Sequence, residues 1–311
     1  MEDIVKLENI KKSFDEVTAL NGVSFSIKKG EMFGLVGPDG AGKTTIIRVL
    51  CGIYCQDSGS ASIFGYDTAK EINKIKGDIG YLSQRFSLYG DLTIDENLEF
   101  FAEIHRVEKY ESVREELLDF TRLKPFRNRL AEKLSGGMKQ KLGLICTLIH
   151  KPKILFLDEP TTGVDPVSRR DFWKILSELL KSEITIIITP PYLDEVERCA
   201  RVALLNKGEI MIVDTPNNLK ALLKDTIVEI IPDKVREAYK ILLNKPFIKD
   251  VQAFGDRLNI FINDYNQNIP LVNSVLNENG IVLINSRVVP PSLENVFINL
   301  INSNKKENSK V

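Results

Sequence analysis

Leu134-Ser135-Gly136-Gly137-Met138 lies between Gly37-Pro38-Asp39-Gly40-Ala41-Gly42-Lys43-Thr44 and Ile154-Leu155-Phe156-Leu157-Asp158-Glu159. It joins a small oxygen donor to two residues without side chains, so backbone amides there can approach phosphate oxygens closely. The upstream stretch fits the pattern G-x-x-x-x-G-K-[ST]. Its amides can cradle phosphate at a helix N-terminus, Lys43 can neutralise β/γ-phosphates, and the Thr44 hydroxyl can ligate Mg²⁺. An apolar strand, Met32 to Val36, runs into it, and helical sequence through Ile46, Ile47, Val49 and Leu50 follows, which is the context the pattern requires. One chain therefore carries two different phosphate-binding surfaces. The economical arrangement is a dimer in which each surface faces the other subunit's nucleotide.

The downstream stretch places two acids at the end of a buried strand. Asp158 can hold the metal, directly or through water, and Glu159 can polarise an attacking water as general base. Two acids capping a strand can also be a solvated loop; a phosphate loop in the same chain favours the site.

Further out, Ile4-Val5-Lys6-Leu7-Glu8-Asn9-Ile10 alternates as a strand does, and Ile79 to Ser83 reads as a strand ending at Gln84. From about Asp95 to Phe126 the period is helical. Ser135 stands at an N-cap position, with helix to about Leu148. Ile154 to Leu157 and Ile184 to Ile188 are apolar strands. Strands alternating with helices predict an α/β fold with a parallel, helix-covered sheet over residues 1–218, its helical subdomain at about 85–145. Composition shifts near Thr215-Pro216-Asn217. Residues 219–301 read strand, helix, strand pair, helix, strand, a small α+β domain of split βαβ type. Val289-Pro290-Pro291 precedes a final short helix, and residues 302–311 are polar and expected to be disordered.

Composition sets the bounds. The 311 residues are 43% hydrophobic and 27% charged with a net charge of -1, so nothing argues for a nucleic-acid partner. The longest apolar stretches, such as Leu142 to Ile149, are far shorter than a bilayer span, and Met1-Glu2-Asp3 lacks a signal-peptide pattern. The expectation is a cytosolic chain, or one held peripherally at the cytoplasmic face of a membrane by partners. Cys51, Cys55, Cys146 and Cys199 have no metal-type spacing, and two histidines are too few for a zinc site; reduced structural thiols are expected.

The order of these motifs resembles the ATP-binding subunit of an ABC transporter over about residues 1–215. The fold this implies is a P-loop ABC ATPase core with a helical signature subdomain. The matching stretches are GPDGAGKTT (37–45, ending in Thr45), Gln84, LSGGM (134–138), ILFLDEP (154–160) and TTGVDP (161–166). The resemblance implies ATP and Mg²⁺ as ligands, with Thr44, Gln84 and Asp158 about the metal and Lys43, Gln84 and Glu159 in catalysis. It implies that Gln84 senses the metal and the water and contacts the membrane partner. Ser135, Gly136 and Gly137 would bind the γ-phosphate held by the opposite subunit, Asp165 would couple the two sites, and Phe14 would stack on adenine; an ordinary core phenylalanine is the alternative. LSGGMKQKLGL (134–144), YLDEVERCARVALLNKGEI (192–210) and Pro291-Ser292-Leu293-Glu294-Asn295-Val296-Phe297 are similar to ATPases of ABC-2-type exporters. The partners implied are a membrane permease and a second ATPase subunit, identical or not. Arg85 to Asn97 resembles the face that receives the permease, with Phe86, Leu88 and Tyr89 either docking it or packing on the helical subdomain.

Two positions depart from the family pattern. Pro191 occupies the place of a histidine that could hydrogen-bond the γ-phosphate, and it offers neither side-chain donor nor N–H. Either Glu159 and Gln84 suffice and the site turns over slowly, or this chain mainly binds ATP and lends its LSGGM to an unlike partner's site. Asp39 stands where asparagine is usual, a carboxylate near phosphates that is tolerated if it points to solvent. A soluble ABC protein acting on DNA or ribosomes is the rival class; its coiled-coil insertion, zinc cysteines, second cassette and basic surface are not visible here.

Overall fold

A computed structural model describes residues 2–84 and 88–308, with side chains to residue 302. The chain divides into two compact units between Pro216 and Asn217. The first begins with β1 (Asp3–Phe14) and β2 (Val17–Lys28), an antiparallel pair. Next come β3 (Met32–Val36), α1 (Lys43–Leu50), β4 (Ser58–Ile63), β5 (Tyr66–Asp67) and β6 (Ile79–Leu82). The helices α2 (Ile94–Ile104), α3 (Tyr110–Thr121) and α4 (Gly136–Leu148) follow, then β7 (Ile154–Asp158), α5 (Pro166–Lys181) and β8 (Thr185–Thr189). α6 (Leu193–Val196), β9 (Arg201–Asn206), β10 (Glu209–Asp214) and α7 (Pro216–Ala221) carry the chain to the division.

Two sheets result. One is antiparallel, in the order β2-β1-β4-β5; the other runs β10-β9-β3-β8-β7-β6 and is parallel except at its β10/β9 edge. Every residue of β3, β7 and β8 is buried, which is why these strands are continuous apolar runs and not alternations. The parallel core is the one read from the sequence; the antiparallel sheet is an addition to it. The helical stretch expected from about Asp95 to Phe126 comes as two helices, because Arg106 and Lys109 take positive φ (54° and 53°) and end one helix before the next starts. α2 opens on a capping box: Thr93 Oγ1 accepts from Glu96 N at 3.2 Å, and Glu96 Oε2 accepts from Thr93 N at 2.7 Å.

The second unit holds β11 (Thr226–Pro232), α8 (Val235–Leu242), β12 (Asp250–Phe254), β13 (Arg257–Ile262), α9 (Tyr265–Glu278), β14 (Leu283–Val289) and α10 (Leu293–Asn308). Its sheet order β12-β13-β11-β14, antiparallel throughout, is the split βαβ arrangement. Val228, Ile230 and Ile260 share a core with Ala238 and Leu242 of α8 and Val272 and Leu276 of α9. On the opposite face Gln252 exchanges hydrogen bonds with Asn295 of α10, accepting from its Nδ2 at 2.8 Å. The tail stretch Pro291–Phe297 thus has a local role: Ser292 caps α10 and Asn295 ties it to β12. Helical backbone continues to Asn308, into the segment expected to be disordered from residue 302. Residues 309–311 lie outside the described residues.

The two histidines meet. His105 caps the C-terminus of α2 and His150 follows α4; their rings stack at 3.8 Å between centroids and 7° between planes. His150 Nε2 bonds Ile79 O at 2.9 Å, and its Nδ1 is buried with no partner among the described residues. Desolvation, then the adjacent imidazole, lowers His105 to about 4. Desolvation also lowers His150, opposed by the Ile79 carbonyl and by Asp78. Both folded values are depressed, so the unfolded chain takes up protons first as the pH falls below an unfolded value of about 6.5. The contribution to stability is full above that pH and is lost on acidification toward 4. Denaturation midpoints should fall from about pH 7 to about pH 5, and His105→Phe, which keeps a stacked ring, should flatten that slope; equal slopes in both proteins would refute the assignment.

Candidate active site

Three parallel strands end together. β3 runs into the glycine-rich loop, β7 ends in Asp158, and β8 ends in Thr189. α1 starts at Lys43 after Gly42, whose φ of 106° is left-handed and whose added Cβ would meet Ala19 O at 2.7 Å. Glycine is therefore required where the loop turns into the helix.

A cleft of about 500 Å³ lies over this loop, lined by Phe14, Val17, Thr18, Ala19, Asp39 to Thr45, Gln84 and Glu159. Of the residues predicted to bind nucleotide, Gly37 and Pro38 are not on its lining but supply the carbonyls to which Lys43 Nζ donates, at 2.8 and 3.0 Å. An ammonium has three protons, so one remains for a phosphate oxygen. Phe14 is 38% exposed, with its ring 5.1 Å from that of Tyr54 in an edge arrangement. It is a rim residue, not a core phenylalanine. Asp39 is exposed at the loop's tip.

Behind the cleft, Asp158 is 1% exposed. Its Oδ1 accepts from Thr44 Oγ1 at 3.1 Å and from Thr189 Oγ1 at 2.8 Å, while Oδ2 is buried with no partner among the described residues. Desolvation raises its carboxyl above the usual value; the two hydroxyls oppose that shift. A buried acceptor without a donor, beside the Thr44 hydroxyl, fits a cation or a cation-bound water, so these residues suit Mg²⁺.

Glu159 follows with φ of 48°, left-handed for a residue with a side chain. Its Oε2 accepts from Gln84 Nε2 at 2.7 Å and Thr162 Oγ1 at 3.2 Å, and its N–H donates to Thr189 Oγ1 at 2.7 Å. Gln84 and Glu159, distant in sequence, are thus in contact. Pro191 lies half-buried in the bend before α6. That bend is anchored by Glu195, buried, which accepts from Thr161 Oγ1 and Trp173 Nε1 at 2.8 Å each. Thr162, Thr189 and Glu195 were not singled out in the sequence. A threonine closing the apolar run Thr185-Ile186-Ile187-Ile188-Thr189 was the one available signal.

The Leu134–Met138 stretch lies elsewhere: among the described residues lining the cleft, none comes from it. Ser135 caps α4, accepting from Met138 N at 3.4 Å, and Ser135 and Gly136 are exposed. Leu134 and Gly137 are buried. Asp165 caps α5, its Oδ1 accepting from Val167 N at 3.1 Å and Ser168 N at 3.0 Å, and the Ser168 amide holds its carboxyl below the usual range. The two helix starts touch. A Cβ on Gly137 would meet Ser168 Cβ at 2.3 Å. In the segment expected to dock a permease, Asn97 is buried and ties Tyr89, Leu92 and Thr93. Tyr89 packs its ring on Phe100 of α2, with 4.5 Å between centroids, and is 46% exposed. Phe86 lies outside the described residues.

A nucleotide-phosphate cleft with paired acids at the end of a parallel sheet, and a second glycine-rich turn outside that cleft, define a P-loop ATP-binding cassette. Residues 20–162 match the ABC transporter family. The chain is 38% identical over 304 residues to a probable multidrug ABC transporter ATP-binding protein of Escherichia coli, covering 96% of this chain and 52% of that protein. It thus spans about half that relative's length. It is 35% identical over 305 residues to a linearmycin resistance ATP-binding protein of Bacillus subtilis, covering 96% and 98% of the two chains. A solved dimeric cassette in a post-hydrolysis state, bound to ADP and Pi, superposes with a TM-score of 0.62 at 27% identity, over 68% of this chain and 98% of that one. The chain belongs to the ATP-binding proteins of ABC transporters.

Gly137→Ala should push α4 from α5 and cost about 1–3 kcal/mol, read as a lower thermal or denaturant midpoint; an unchanged midpoint would contradict the contact.

Proposed function

We propose that this chain is the ATPase subunit of an ABC-type exporter, peripheral to the cytoplasmic face of the membrane. Two cassettes close on ATP, each offering Ser135, Gly136 and Gly137 to the other's nucleotide, and a docked permease converts closure into alternating conformations. Names of relatives speak of multidrug transport and linearmycin resistance; for this chain export of some substrate is the reading, and the substrate is set by the permease. The dimeric cassette among its structural relatives supports the two-subunit arrangement. Among the described residues no helix is long and apolar enough to cross a membrane.

The observation that carries hydrolysis, and not binding alone, is the 2.7 Å bond from Gln84 Nε2 to Glu159 Oε2 at the end of the cleft. It holds the carboxylate where it can take a proton from a water attacking the γ-phosphate. Lys43 and the amides of the loop offset charge that develops on the transferring group. Phe14 offers a ring to the base. Thr44, Asp158 and the Oε1 of Gln84 would hold Mg²⁺, which when bound neutralises β/γ-phosphate charge. Asp165 couples the two sites through the turn it caps.

Pro191 favours a second reading, a chain that binds ATP and completes an unlike partner's site. Steady-state hydrolysis by the purified chain with Mg²⁺ separates the two. The first reading expects turnover that Glu159→Gln lowers by roughly 10²–10⁴-fold. Equal rates in the two proteins, with ATP still bound, would assign the chain to the second.

A further inference from the structure

Glu159 is held from several sides. Its left-handed backbone, φ 48°, is a sparsely populated conformation for a glutamate and persists only where the surroundings fix it. Thr189 does the fixing. It is fully buried, its hydroxyl accepts from Glu159 N at 2.7 Å and donates to Asp158 Oδ1 at 2.8 Å, and its carbonyl accepts from the same N–H at 3.2 Å. One hydroxyl therefore sets the separation of the two acids.

The carboxylate is fixed separately. Thr162 N donates to Glu159 O at 3.2 Å, closing a tight turn after β7 that brings the Thr162 hydroxyl back over the side chain. Thr162 Oγ1 then donates to Glu159 Oε2 at 3.2 Å, beside Gln84 Nε2 at 2.7 Å. Both hydrogen bonds that the described residues make to this carboxylate end on Oε2. With Oε2 engaged by two donors from different segments, rotation about the last side-chain bond is restrained and Oε1 is left as the acceptor for a water in the cleft. Pro190 and Pro191, the two residues that follow β8, supply no donor from backbone or side chain.

We propose that Thr162 is a positioning residue for the general base: its hydroxyl, with the Gln84 amide, orients Glu159 so that the site turns over without a donor at position 191. This rests on the reading of Glu159 as the base. Thr162 touches no reacting atom; it acts through Glu159. The side chain is exposed, so its replacement leaves the core intact.

The test is Thr162→Val, a near-isosteric loss of the hydroxyl, in the full chain with Mg²⁺ and ATP. Misorientation of a catalytic group costs up to about 10²-fold, so kcat should fall roughly ten- to hundred-fold while ATP affinity is unchanged. Thr162→Ser should recover most of the loss. On the Glu159→Gln background, Thr162→Val should lower the residual rate no further, because the group it orients is gone. Wild-type turnover above Glu159→Gln with an unaltered kcat in Thr162→Val would overturn the positioning role and leave the general base standing. Equal slowing with and without Glu159, or loss of ATP binding, would make Thr162 a structural residue only. Wild-type turnover no higher than that of Glu159→Gln would remove the base, and the positioning role with it.

Discussion

Asp158 is the constraint on which the site depends. It ends a strand buried at every position, and a carboxylate there must find partners or become neutral. Among the described residues it has partners on one oxygen only: the hydroxyls of Thr44 and Thr189. Those two bonds cross-link the start of α1, the end of β7 and the end of β8, three segments that meet nowhere in sequence. The glycine-rich loop and the two acids that end β7 are thereby registered to one another through a single side chain. The unpartnered Oδ2 is the cost of that arrangement, and it is the atom a cation would relieve.

The same economy governs the other glycine-rich turn. Gly137 is a packing glycine, since any side chain would strike Ser168. Ser135 and Gly136 remain exposed, and no part of this turn reaches the cleft of its own chain among the described residues. α4 and α5 begin side by side, one capped by Ser135 and the other by Asp165. The start of α5 follows directly on the segment 160–165, whose Thr162 bonds Glu159, so the exposed turn and that segment are contiguous. Contiguous packing of this kind is what a coupled pair of sites needs.

Much of this was legible in the sequence, for physical reasons. Buried parallel strands are continuous apolar runs, so β3, β7 and β8 stood out, and the phosphate loop fixed what must precede and follow it. Ser135 announced its helix because a small hydroxyl before a helical run can accept from the helix's first free amides. The strands β2 and β4 did not stand out. Gly22 interrupts β2 at a positive φ of 78°, and β4, Ser58-Gly59-Ser60-Ala61-Ser62-Ile63, is built from residues of poor strand propensity held by pairing to β1. The contacts of Thr162 and Thr189 were equally hidden, because a hydroxyl's partner depends on tertiary placement. Pro191 was visible as a residue without a donor; that two threonines and a glutamine hold Glu159 was visible only in three dimensions.

The central claim is that a working site is made from two chains, one bringing Glu159 and the other Ser135-Gly136-Gly137. Complementation tests it most directly. Glu159→Gln alone and Ser135→Arg alone should each be inactive as homodimers, for want of base or of signature. Mixed, they form dimers in which one of the two sites carries neither lesion, and ATP turnover should reappear with Mg²⁺. A mixture as inactive as its components, with both variants still binding ATP and still pairing, would contradict a composite site and return the signature turn to its own chain.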